Sequence, residues 1–163
     1  MPIIHLQTLI RSTPEICFDL SASIDLHTMS TARTEEKAIA GVTSGIIKNG
    51  ESVTWEARHF GIRQKLTTKL TAYNRPHHFR DEQVKGAFKS FTHDHLFTLE
   101  NGQVVMTDVF EFHSPWGILG KVFNRFVLTN YMRVFLTERN EMIKKYAENG
   151  DWKKVLPFAE KYG

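Results

Sequence analysis

With 163 residues, 41% hydrophobic and 24% charged, the chain has the make-up of one soluble globular domain able to bury a real core. A formal net charge of +3 is too mild to point to nucleic acid, and no apolar run is long enough to span a bilayer. The single cysteine, Cys17, excludes an internal disulfide; with no leader pattern at the N-terminus, a cytoplasmic location is expected.

Pro2–Ile10 alternates as a strand, with Ile4, Leu6 and Thr8 on one face. Ser12-Thr13-Pro14-Glu15 is a helix start: a capping hydroxyl, a first-turn proline and an acid beside it. Ile16, Phe18 and Leu20 begin a short helix that holds Cys17 as a small buried residue, and Ile24–Met29 makes a second. Arg33–Gly45 is poorly patterned, with a weak edge strand around Ala38–Val42. His27, His77 and His78 fall in loops or at element ends, where surface placement is expected.

Val53, Trp55, Ala57 and His59 then alternate with polar residues, as do Gln64, Leu66, Thr68 and Leu70 after Gly61. A tight turn at Gly61-Ile62 would place Trp55 opposite Thr68, Ala57 opposite Leu66 and His59 opposite Gln64. Asn74-Arg75-Pro76 breaks the run, and His77–Lys85 forms the next strand with Phe79, Asp81 and Gln83 on one face.

The following hairpin carries the most information. Phe91, His93, His95, Phe97 and Leu99 share a face of one strand; Val104, Met106, Asp108, Phe110 and Phe112 share a face of the next. Asn101-Gly102 between them is a strong two-residue turn signal. It pairs Leu99 with Val104, Phe97 with Met106, His95 with Asp108, His93 with Phe110, and Phe91 with Phe112. A histidine therefore faces a carboxylate on an otherwise apolar surface.

From Ser114 to Asn149 the pattern is helical. Leu119, Val122, Phe123 and Phe126 mark one apolar stripe; Leu128, Met132, Phe135, Met142, Ile143 and Tyr146 mark a second, nearly opposite one. One straight helix cannot bury both, so a break near Val127–Asn130 is expected. Arg133, Arg139, Lys144, Lys145, Lys153 and Lys154 read as a solvated face and tail.

Strand, two short helices, six antiparallel strands and a long helix make an α+β chain, and at this point it resembles the START-like, helix-grip SRPBCC superfamily of polyketide cyclases and coenzyme Q-binding proteins. The stretches that carry the resemblance are Thr54–Gly61, Phe79–Gly86, Phe91–Phe97, Asp108 and Ser114-Pro115-Trp116-Gly117-Ile118-Leu119-Gly120. It implies a single domain over 1–163: a curved antiparallel sheet of about seven strands around a C-terminal helix at about 116–149, with a short tail at 150–163. It also implies a hydrophobic ligand pocket but no particular reaction. The expected pocket residues are Trp55, His59, Gln64, Leu66, Phe79, Asp81, Gln83, Phe91, His93, His95, Phe97, Met106, Asp108, Phe110 and Phe126.

His95 and Asp108 have three readings: a satisfied buried pair, a ligand-orienting pair with His95 presenting one nitrogen to the pocket, or the catalytic acid–base pair. A metal on His93, His95 and Asp108 would lack a convincing further neutral ligand, although His59 is imaginable, so neither metal nor cofactor is expected. The function that follows is binding of a hydrophobic small molecule: a lipid, an isoprenoid or a polyketide-like compound. The alternatives are a cyclase-, dehydratase- or hydrolase-like enzyme using His95 and Asp108, and an interaction module whose basic helix end makes weak contact with a protein or membrane surface.

Overall fold

The computed structural model describes residues 2–114 and 117–156, without the side chains at 118, 120, 121, 124 and 125. The expected helix start at Pro115 and Trp116 and the tail at 157–163 lie outside the described residues.

The first strand, β1 (Ile3–Ile10), leads into α1 (Pro14–Ser21) and α2 (Ile24–Ser30). Thr13 caps α1 by accepting the Ile16 N–H, with proline in the first turn; Ser23 caps α2 through the Leu26 N–H at 3.2 Å, and these caps satisfy donors that a helix start leaves unpaired. An edge strand β2 (Lys37–Gly41) precedes β3 (Ser52–His59), β4 (Ile62–Asn74), β5 (His78–Lys85), β6 (Ser90–Glu100) and β7 (Gln103–His113). All pair antiparallel in one seven-stranded sheet, ordered β1-β7-β6-β5-β4-β3-β2.

The β6–β7 register is the one its turn dictates: Leu99 pairs with Val104, His95 with Asp108 and Phe91 with Phe112, while Asn101 and Gly102 both take positive φ. The β3–β4 register differs from expectation. Trp55 pairs with Leu66 rather than Thr68, Ala57 with Gln64, and His59 with Ile62. The turn is Phe60-Gly61, with φ of 51° and 74°. A two-residue hairpin turn of this kind needs positive φ at both central residues, a conformation that β-branched Ile62 resists. The faces are unchanged because the shift is an even number of residues.

The C-terminal helix is built in three pieces: α3 (Gly117–Phe123), a π-helical turn over Asn124–Leu128, and α4 (Thr129–Asn149), which ends at Gly150 in the left-handed conformation. The expected break is this π turn, whose wider winding rotates the phase of the helix. It sets the two apolar stripes apart: α4 buries Met132 and Ile143 of the second, while Leu119, Val122 and Phe126 of the first stay exposed.

Packing places α4 against β1, α1 and α2. Two apolar clusters result. One joins Phe18, Leu20, Phe79, Phe97, Met106 and Ile143, and closes with Trp152 and Leu156. The other joins Ile4, Phe91, Phe110, Phe112, Met132 and Leu136. Between them on β6, β7 and α4 lies a polar layer of His93, His95, Asp108, Arg139 and Asn140, all buried.

Candidate functional site

Asp108 is the hub of that layer. Strand alternation points its side chain inward, where it is fully buried. Its Oδ1 lies 2.8 Å from His93 Nε2 and 3.1 Å from His95 Nδ1, while its Oδ2 accepts a 2.6 Å bond from Asn140 Nδ2. Arg139 Nη1 stands 3.7 Å from Oδ1, and Arg139 Nη2 donates to the carbonyl of Ser21 at 3.0 Å, where the C-terminal end of α1 favours a cation. On the other side, His95 Nε2 lies 2.9 Å from Asp81 Oδ2.

The pairing is therefore not the one the register alone suggests. The aligned hydrogen bonds run diagonally across the sheet: His93 to Asp108 and His95 to Asp81. Directly opposed His95 and Asp108 are close, yet His95 Nδ1 is buried without an aligned partner. Both nitrogens of His95 face carboxylates, so it does not present a bare nitrogen to the cavity. With Nε2 of His93 held by Asp108, Nδ1 is the nitrogen His93 has left for a ligand.

Electrostatics follow from burial and pairing. Burial would raise the Asp108 carboxyl, but the bonds from His93 and His95 outweigh it and hold it well below its ordinary range. Asp81 is lowered in the same way against its burial, chiefly by His95. His93 is lowered, by burial first and then by His95 beside it. His95 is raised, because its bonds to Asp108 and Asp81 overcome burial.

Two adjoining chambers lie between sheet and helix. One, of about 120 Å³, is floored by Asp81, His93, His95 and Arg139 and walled by Phe79, Phe91 and Phe110. The second, of about 340 Å³, is bounded by Ala57, His59, Gln64, Phe123, Leu128 and Tyr131. Glu36, Trp55, Leu66, Phe88, Met132 and Phe135 border both. At the second chamber His59 Nδ1 lies 2.7 Å from the Tyr131 hydroxyl, and burial lowers the His59 pKa against the pull of Glu36.

No protein-family model matches the chain, and no curated protein sequence matches it. Solved structures do. TTHA0849 from Thermus thermophilus superimposes with a TM-score of 0.70 at 13% identity, over 90% of this chain and 100% of that one. Ginseng major latex-like protein 151 from Panax ginseng gives 0.66 at 16%, over 90% and 97%. CV1439 from Chromobacterium violaceum gives 0.66 at 10%, over 90% and 96%.

The chain has the START-like helix-grip fold.

Within that fold, Trp55, His59, Gln64, Leu66, Phe79, Asp81, Phe91, His93, His95 and Phe110 border one chamber or both. Phe97 and Met106 instead fill the apolar core. Asp108 sits behind His93 and His95 rather than on the cavity wall. Gln83 turns to donate to the Phe88 carbonyl at 2.7 Å. Phe126 is 71% exposed and borders an outer groove with Arg33 and Arg58. Leu119 and Val122 are likewise exposed, so of that stripe it is Phe123 that reaches the cavity. Among the described residues, no helix is long and apolar enough to cross a membrane.

Four residues that matter here do not follow from the expectations above. Arg139, expected on a solvated face, is buried together with Asn140. Their spacing could have shown it: Met132, Leu136, Arg139, Asn140 and Ile143 fall on one helical face. Glu36 is buried on the cavity wall, 3.3 Å from His27; His27 in turn packs on Trp55 with ring centroids 4.3 Å apart, so it is half-buried rather than held out in solvent. Burial would raise the Glu36 carboxyl, but His27 holds it low.

Proposed function

We propose that the protein binds a hydrophobic small molecule in the space between the sheet and the C-terminal helix. The observation that carries this reading is the pair of adjoining chambers, whose walls are mostly aromatic and aliphatic and whose polar groups gather at few points. Sites of this make-up hold apolar ligands by burial and orient them by a small number of hydrogen bonds. Here the orienting groups are Asp81 and His93 on one floor, Glu36 where the chambers meet, and the His59–Tyr131 pair beyond it. An elongated, mainly apolar molecule with one or two oxygen-bearing groups matches that distribution.

Native mass spectrometry of gently purified protein tests the proposal. A co-purifying or added long-chain lipid or isoprenoid should appear as a single bound adduct, and Leu66→Trp, which fills the shared wall, should remove it. Survival of the adduct in folded Leu66→Trp would place the ligand elsewhere. No adduct with any apolar probe would overturn the reading.

A further inference from the structure

Beyond apolar binding, the structure assigns a metal site: we propose that Asp81, His93 and His95 bind one divalent transition-metal ion, of the zinc or iron(II) class, at the cavity floor. The side chains come from neighbouring strands, with Asp81 directly opposite His93 in the β5–β6 ladder and His95 two residues on along the same face. Their ligand atoms all lie within 4.8 Å of one another. An ion with bonds of roughly 2.0–2.2 Å to imidazole and carboxylate holds its ligand atoms about 3.3–3.6 Å apart in a tetrahedral site, so binding would draw the triad together. Two imidazoles and one carboxylate with free positions beside them are a set that suits these ions.

The surroundings supply what such ligands need. A metal-bound histidine donates its other ring N–H to a carboxylate or carbonyl, which fixes its tautomer and orientation. Asp108 stands ready for both: Oδ1 is 2.8 Å from His93 Nε2 and 3.1 Å from His95 Nδ1. That leaves His93 Nδ1 and His95 Nε2 as the coordinating atoms, the second already directed at Asp81. The arrangement also gives a role to His95 Nδ1, which is buried without an aligned hydrogen bond: metal on Nε2 places the ring proton on Nδ1, within reach of Asp108. Asn140 and Arg139 hold Asp108 in turn. Asp108 and Arg139 offset each other in charge, so a dication on Asp81 keeps a net positive charge toward the chamber. A carbonyl, hydroxyl or water oxygen fits that open side.

Cobalt(II) and zinc(II), each added alone to chelator-treated protein without any hydrophobic ligand, are the probes. One equivalent of cobalt(II) should develop the visible bands of a four- or five-coordinate ion, and zinc(II) should displace it. Proton NMR of the cobalt form should show two paramagnetically shifted, exchangeable imidazole N–H signals, one from each histidine. His93→Gln and Asp81→Asn should lose the bands, Asp108→Asn should weaken binding about 10–100-fold, and exposed His5→Gln should change nothing. A cobalt(II) spectrum that stays that of the aquo ion in wild-type protein overturns the proposal and makes the cluster a self-contained network with His95 between two carboxylates. So does binding that persists in folded His93→Gln. The wild-type spectrum decides even where a variant fails to fold, and adduct formation with an apolar ligand is read separately, so either reading can fail alone.

Discussion

Asn140 on the long helix donates its side-chain amide to Asp108 on β7 at 2.6 Å. The bond joins the gripping helix to the sheet at the level where the two apolar clusters separate. Apolar contacts alone tolerate sliding of one surface over another, whereas a buried carboxylate left without donors is costly. The polar layer therefore sets the register of helix on sheet.

Asn140→Leu should lower unfolding free energy by about 1–3 kcal/mol, the usual cost of leaving a buried acceptor unpaired. Asp108→Asn should cost more, since the new amide must put a donor against either Asn140 or the histidines. Urea titrations of both singles and the double variant measure the coupling. Strictly additive losses would mean that the 2.6 Å contact does not hold the helix in place.

Phe97 and Phe110 separate core from cavity. Both are buried, and Phe→Ala at either should cost about 3–5 kcal/mol. Phe97 lies in the packed cluster beside Phe18, with ring centroids 5.5 Å apart, so its loss should leave ligand preference alone. Phe110 borders the chamber, so its loss should also admit a bulkier ligand. Equal ligand spectra for the two variants in native mass spectrometry would contradict the chamber wall as drawn.

How far the sequence led depends on how local the determinants were. Asn101-Gly102 sets its own turn geometry, and every pair down to Phe91 and Phe112 follows from it. Phe60-Gly61 is less legible, because a phenylalanine at positive φ carries no compositional signal. The diagonal bonds from His93 to Asp108 and from His95 to Asp81 were not readable either: direct opposition is set by register, but which diagonal closes depends on sheet twist and side-chain rotamer. Arg139 shows the opposite case. Its helical phase with Leu136 and Ile143 is in the sequence, but arginine is almost never fully buried unless paired, and its partner lies on a distant strand. Only a buried acid across the interface makes that burial tolerable.

Cys17 should be inert in the native protein. Burial, aided by Glu148 and Glu15, pushes its thiol up to about 12, and the thiolate is the reactive form. At pH 8 a thiol-reactive disulfide reagent should label it only after urea is added. Rapid native-state labelling would show that α1 detaches from the sheet.

Acid sensitivity should arise in part on the outer face of the sheet. Asp94 pairs with Arg80 through bonds of 2.9 and 2.8 Å and with His78 at 2.6 Å. Burial would raise its pKa, but these partners win and depress it. A depressed carboxylate adds stability that is full above its unfolded pKa, about 3.9, and is lost as pH falls through the folded value. The stability gap between wild type and Asp94→Asn should therefore be full at neutral pH, begin to narrow as pH falls past about 4, and vanish only below the folded pKa. A gap independent of pH would show that Asp94 acts by packing rather than by charge.

The π turn at Asn124–Leu128 should be the place where the helix opens. Ahead of it, Leu119 and Val122 are mostly exposed, so α3 contributes little buried apolar surface. Behind it, α4 is held by Met132, Leu136, Asn140 and Ile143, all buried. Local opening costs least where few buried contacts are lost. Yet Phe123 and Leu128 border the larger chamber, so opening there would also uncover it. Hydrogen exchange should then be fast from Gly117 to Leu128 and slow from Met132 to Ala147, and a bound apolar ligand should slow the first segment much more than the second. Deleting Val127 should wind the turn into plain α-helix with Phe123 kept near its present phase, because a π turn absorbs one extra residue, and should slow both exchange over this segment and release of the ligand. Uniform protection across both segments, unchanged by ligand, would mean that entry runs through another part of the wall.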